Sequence, residues 1–183
     1  MRANPCGNDG GYNRFTSPKW INVMYRRILA AVDDSPTSDL ALREAIGLAK
    51  DQHARLRIVY VVDKIAVYNS TQLSPEVERT WTDVGRGILD KAQRSARSGG
   101  VDAEVKLLET EVPGARMAEA IVAEAKAWPA DLVVAGTHGR TGLDHLLMGS
   151  VAEGIVRGCP VPILLVRIRQ PKTPHESASA GRS

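Results

Sequence analysis

Cysteine is scarce in this 183-residue chain: Cys6 and Cys159 stand far apart, so there is no disulfide framework and a reducing compartment is expected. Long apolar runs are missing too, and none approaches the roughly 18 residues that a membrane span needs. The first twenty residues lack the apolar centre of a secretory signal, carrying instead Asn4, Gly7, Asn8, Asp9, Gly10, Gly11 and Asn13. A cytoplasmic protein with no membrane partner is the expectation. The chain also lacks a basic body. Its formal net charge is +3, but residues 1–27 carry a surplus of four and residues 167–183 a surplus of three, which leaves residues 28–166 at −4. A slightly acidic body offers no groove for a phosphate backbone, and nucleic acid is not an expected partner. Neither G-x-G-x-x-G nor G-x-x-x-x-G-K-[ST] follows the first apolar run, so dinucleotide and P-loop readings are excluded.

What is present is an apolar fraction of 43%, ample for one core, and a regular alternation of strand-like and helix-like segments. Residues 25–169 read as a single domain. Residues 1–24 read as a flexible extension or a misassigned start ahead of the first strand, and 170–183 as a disordered polar tail. Arg27-Ile28-Leu29-Ala30-Ala31-Val32 is a continuous apolar run, as suits a strand covered on both faces. Ser35-Pro36 then starts a helix that runs to about Gln52. Residues 56–62 repeat the buried-strand pattern, and a loop of about ten residues follows from Lys64 to Leu73. Ser74-Pro75-Glu76 opens a second helix with Val77, Trp81, Val84, Ile88 and Ala92 on one stripe, stopped by Gly99-Gly100. Charged and apolar residues alternate over 101–108, as in an edge strand.

A third helix carries Met117, Ile121, Ala125 and Trp128 on its stripe, followed by a buried run at 131–135. A short helix from Ser150 to about Arg157 and an apolar run from Val161 to Ile168 complete the pattern. Trp81 and Trp128 are expected in the core, and Cys159 as a small residue at least half buried. Five strands alternating with four helices predict an α/β fold: a five-stranded, mainly parallel sheet with helices on both faces, Rossmann-like. Ligands of such sheets bind beyond the carboxyl ends of strands, where strand order reverses. If the first and fourth strands are neighbours, Asp33-Asp34 and the residues from Gly136 onward share one crevice.

The segment from Gly136 to Gly142, Gly-Thr-His-Gly-Arg-Thr-Gly, opens directly from the fourth strand, and Gly149-Ser150 then starts a helix. Glycines let backbone N–H groups approach a phosphate with no Cβ in the way, and the first amides of a helix point at the same anion. Ser150 can cap that helix or bond a phosphate oxygen, and Asp33 can begin a turn or meet a ligand. Arg140 can meet a phosphate or face water. His138 reads as a solvated loop residue with no evident companions for a metal, and Asp144 and His145 as surface residues.

Gly136, two residues, Gly139, nine residues and then Gly149-Ser150 resemble the ATP-binding pattern of universal stress proteins. The likeness extends from about Tyr25 to Arg169 and includes the runs 27–33 and 160–166. It implies an adenine nucleotide alpha-hydrolase-like fold and an ATP-binding protein of stress response or signalling. Carried onto matching positions, it implies that Gly136 and its loop, with Thr137 and His138, lie against the ribose. Gly139, Gly149, Ser150 and the Val151 amide would hold the phosphates, with Arg140 nearby. Asp33 would contact adenine or ribose, and Ala31 and Val61 would line the adenine slot. The resemblance further implies Mg²⁺ or Mn²⁺ held through the phosphates, AMP or ADP as other resting ligands, and a homodimer in which Val161 to Val166 pairs with its copy. One departure is local: in Glu109-Thr110-Glu111-Val112-Pro113-Gly114 the glycine follows the proline, which affects that loop and not the phosphate motif.

The motif offers His138, Arg140 and Ser150 but no carboxylate base, so at most slow ATP hydrolysis or autophosphorylation is expected. Two alternatives remain at this point. One is an interaction module of the same fold with an empty pocket. The other is a phosphoacceptor receiver domain, suggested by Asp33-Asp34 and Thr137 but lacking an Asp at the end of the third strand and a Lys at the end of the fifth.

Overall fold

Five strands, β1 (Arg27–Ala31), β2 (Arg55–Asp63), β3 (Glu104–Thr110), β4 (Leu132–Gly136) and β5 (Ile163–Val166), pair in parallel in the order β3-β2-β1-β4-β5. Helices α1 (Pro36–Gln52), α2 (Pro75–Ser98), α3 (Met117–Ala127) and α4 (Ser150–Gly158) alternate with them. The computed structural model describes residues 25–63, 75–110, 117–138 and 148–168. The extension at 1–24, the loop at 64–73, Val112-Pro113-Gly114 and the tail at 170–183 lie outside the described residues.

The expected α/β architecture is the one adopted, and β1 and β4 are neighbours. Receiver-type sheets run 2-1-3-4-5, whereas this sheet runs 3-2-1-4-5, so the phosphoacceptor alternative fails on topology. Among the described residues, no helix is long and apolar enough to cross a membrane.

Strand alternation assigns the two helical layers. Ile28 and Ala30 of β1 belong to the apolar layer of α1 and α2, with Leu42, Ala45, Leu89 and Ala92. Leu29 belongs to the layer of α3 and α4, with Ile121, Ala125 and Ile155. Ile28, Leu29, Ile58 and Val133 are fully buried, each contributing about 1.5–3 kcal/mol of transfer free energy. At the head of α1, Ser35 is the N-cap, its Oγ accepting from the Ser38 N–H at 3.1 Å, with Pro36 in the first turn. His53, at φ 53°, closes the helix in the left-handed region.

Two expectations are corrected. Trp81 and Val84 are 39% and 45% exposed, not in the core. α2 comes close to the sheet at Gly85, where a Cβ would stand 2.7 Å from Leu107 and 3.0 Å from Tyr60. A glycine carries no apolar mark, so the stripe drawn through large side chains holds at Ile88 and Ala92, which pack on the core, and fails at Trp81 and Val84. The last strand is also shorter than its apolar run: Val161, Pro162, Arg167 and Ile168 flank it. Trp128 is buried as expected, but one residue beyond α3, with the Arg57 guanidinium 4.7 Å from its ring centroid.

That guanidinium heads a polar network at the start of the sheet. Arg57 donates to Glu104 and, at 2.6 Å, to Glu124 of α3, whose other oxygen accepts from Lys106 at 2.6 Å. Burial opposes the charge on Arg57, but its hydrogen bonds to Glu104 and Glu124 outweigh it and hold its pKa above the ordinary value.

Candidate functional site

Strand order reverses between β1 and β4, and there a cleft of about 270 Å³ opens. Ala31, Val59, Val61, Ala135 and Ile155 line its apolar side, with Met117 and Ile121 from α3. Asp33, Ser38, Thr137, His138, Gly149, Ser150 and Val151 line the polar side. An apolar slot with a few converging polar groups is the usual build of a small-molecule site.

The β1–α1 turn fixes Asp33 from both ends. Its N–H donates to Ser38 Oγ at 3.0 Å, and its Oδ1 accepts from the Ser35 N–H at 3.1 Å. Asp34 takes the left-handed region at φ 63°, where its Oδ1 meets Lys91 Nζ at 2.8 Å. The α1 N-terminus is therefore closed by its own serines. Gly136 lies close to this turn: a Cβ there would stand 3.1 Å from Thr37 Cγ2 and 3.3 Å from the His138 carbonyl. Glycine is what lets β4 end against the first turn of α1.

The α4 N-terminus is built differently. Gly149 is its N-cap, with φ −75° and ψ 157°, and no side chain caps the helix. This corrects the reading of Ser150 as the cap: Ser150 is the first helical residue and is exposed. The Gly149 N–H donates to the Thr137 carbonyl at 2.8 Å, and the Thr137 N–H donates to the Val166 carbonyl at 2.8 Å. Both halves of the glycine motif are thus tied to the sheet. The first intrahelical bond runs from the Glu153 N–H to the Gly149 carbonyl at 2.9 Å, so the amides of Ser150, Val151 and Ala152 come before the ladder begins. All three residues line the cleft. Such an end attracts an anion through its N–H groups and the helix dipole together.

β2 supplies a second backbone feature. A strand residue directs its N–H and C=O to the same neighbour, alternating along the chain. The Val59 carbonyl accepts from the Val32 N–H at 2.9 Å, so Val59 and Val61 both turn these groups toward β1. Pairing with β1 ends at Ala31 opposite Val59. Val61 therefore directs a donor and an acceptor past the end of β1 into the cleft, which it lines.

The model of the universal stress protein family matches residues 24–167. The chain belongs to the universal stress protein family. It is 34% identical over 149 residues to a universal stress protein of Methanocaldococcus jannaschii, covering 79% of this chain and 83% of that one. A solved universal stress family protein from Burkholderia pseudomallei superposes with a TM-score of 0.63 at 35% identity, covering 78% of this chain and 96% of that one. A universal stress protein solved in complex with cAMP and one from Archaeoglobus fulgidus in complex with dAMP share the fold, each with a TM-score of 0.56, at 24% and 21% identity. They cover 78% of this chain and 97% and 98% of their own.

Of the residues singled out in the sequence, Ala31, Asp33, Val61, Gly136, Thr137, His138, Gly149, Ser150 and Val151 come together around the one cleft. Gly139 and Arg140 lie outside the described residues, as do Asp144 and His145. Thr137 Oγ1 lies 3.0 Å from His138 Nδ1, and the His138 carbonyl accepts from Ser35 Oγ at 3.5 Å. Sequence reasoning missed Ser38, Met117, Ile121 and Ile155. Ser38 had a local signal, three residues after a capping serine, while the others were indistinguishable from ordinary core positions. Among the described residues, no group of three or more His, Cys, Asp or Glu could hold a metal ion.

Proposed function

We propose that the cleft binds an adenine nucleotide, with ATP the expected ligand, and that the protein serves stress response or signalling by holding it. The observation that carries this reading is the open α4 N-terminus facing the same cleft as the backbone edge of Val61. The Val61 C=O would accept from the exocyclic amine and its N–H would donate to a ring nitrogen, a pairing that fits adenine. Ala31 leaves room for a flat base, and Asp33, held by Ser35 and Ser38, meets the base or ribose. Gly136 lies at the ribose. The amides of Ser150 and Val151 take the phosphates, together with Gly139, and Mg²⁺ or Mn²⁺ is held through those phosphates. The cAMP and dAMP bound by two proteins of this fold support the adenine assignment.

Turnover is slow in this reading. Asp33 is the only carboxylate among the described lining residues, and it belongs to the β1 end rather than to α4. The reading includes a homodimer through Val161 to Val166. β5 ends the sheet, and its four residues are all only half buried, the kind of edge that proteins cover.

The test uses Ser150→Pro. Gly149 already has the extended backbone that a residue before proline requires, and proline is tolerated at the first helical position, so this change deletes one amide from the cradle without breaking α4. Calorimetry with ATP and Mg²⁺ should show a loss of about 10- to 100-fold, the worth of one hydrogen bond to a charged group. Ser150→Ala separates the hydroxyl. Undiminished binding by the proline variant sinks the phosphate assignment. Lack of any adenine nucleotide binding by the natural protein favours an empty interaction module.

A further inference from the structure

α4 carries a glycine where a helix gains nothing from one. Gly154 lies mid-helix, where glycine costs about 1 kcal/mol relative to alanine. A Cβ built on Gly154 would stand 2.5 Å from Ala118 Cβ on α3, well inside the 3.5–4.0 Å of an ordinary carbon contact. The two helices touch backbone to methyl at this point.

The contact lies between the two sides of the cleft. Along α4, Gly154 follows Ser150 by four residues, about 6 Å of helix rise. Along α3, Ala118 is next to Met117 and three residues before Ile121, both of which line the apolar side. At Gly158, one turn further on, a built Cβ would stand an ordinary 3.6 Å from Val122, so of these two α4 glycines it is Gly154 that comes against α3 with no room for a methyl group. The separation of the apolar wall from the anion cradle is therefore set where Gly154 meets Ala118.

We infer that Gly154 is a positioning residue of the nucleotide site, fixing the α4 amides at the distance from the base slot that a phosphorylated nucleoside spans. This rests on the nucleotide reading above. A methyl group at position 154 pushes α4 outward by about 1 Å if normal contact is restored. The phosphates then lose the cradle, while the base keeps Val61 and Ala31.

The test compares ATP with adenosine on the full chain by calorimetry, for the natural protein, Gly154→Ala, and Gly154→Ala combined with Ala118→Gly. The single variant should lose at least about tenfold in ATP affinity with adenosine changed less than about threefold, one charge-assisted hydrogen bond or more being lost. The double variant exchanges the methyl from one helix to the other and should restore the ATP-to-adenosine ratio. A merely structural role would lower both ligands together, and that result overturns the inference, as does a single variant that binds ATP normally. If the single variant does not fold, a folded double variant with the natural ratio supports the contact, and one lacking the ATP preference refutes it. Failure of the natural protein to bind either ligand instead overturns the nucleotide reading itself, and the positioning role with it.

Discussion

Replacing Glu124 with alanine should destabilise the domain more than any exposed charge change. The residue is 4% exposed, and its carboxylate lies between Arg57 Nη1 and Lys106 Nζ, each at 2.6 Å. Breaking one partner out of a fully buried pair costs about 3–5 kcal/mol, because the remaining charge is stranded. Here the stranding is partial. Lys106 is 48% exposed and regains water, and Arg57 keeps Glu104 and the face of Trp128. The expectation falls to about 2–3 kcal/mol, or roughly 5–10 °C in Tm for a domain of this size. Thermal melts at neutral pH, in low and high salt, provide the assay; a buried carboxylate should show little screening. Arg57→Met with Glu124→Leu removes both charges and should melt above Glu124→Ala, since no buried ion is left unpaired. A Glu124→Ala melt within about 2 °C of the natural protein would refute this account. So would a double variant less stable than the single one.

Glu104 should make stability depend on acid. Hydrogen bonding from Arg57, opposed by burial and reinforced by Arg55, holds its carboxyl below the usual carboxylate range. A group depressed in the folded state adds stability above its unfolded pKa, near ~4.3, and loses it as pH falls through the folded value. Glu104→Gln should therefore flatten the fall of Tm below about pH 4.3, and identical slopes in melts from acid to neutral pH would contradict this. Ser35→Ala removes the cap of α1 and frees the turn that holds Asp33, costing about 1 kcal/mol in denaturant unfolding; no change in midpoint would count against the cap. Leu164→Asp places a charge on the outer strand and should yield monomers in sedimentation, where a persistent dimer would rule out the β5 interface.

Local chemistry made much of this protein legible in one dimension. The apolar run at 28–32 announces a two-sided strand, Ser35-Pro36 a helix start, and Gly136 and Gly149 a turn from strand to helix, because strand burial, capping and close backbone approach depend on nearby residue types. The tertiary structure decided what depends on register and rotation. Gly85, not Trp81, meets the sheet because α2 is turned by its packing against Tyr60 and Leu107. Arg57 finds Glu124 across 67 residues only once β2, β3 and α3 are stacked. Val61 brings to the cleft a backbone edge that any residue would share, because β1 stops two residues short of it in the paired register. The amino acids set which segments are strands, helices and glycine turns; packing alone set which of their faces, edges and ends meet in the cleft, because those contacts join residues that no local pattern relates.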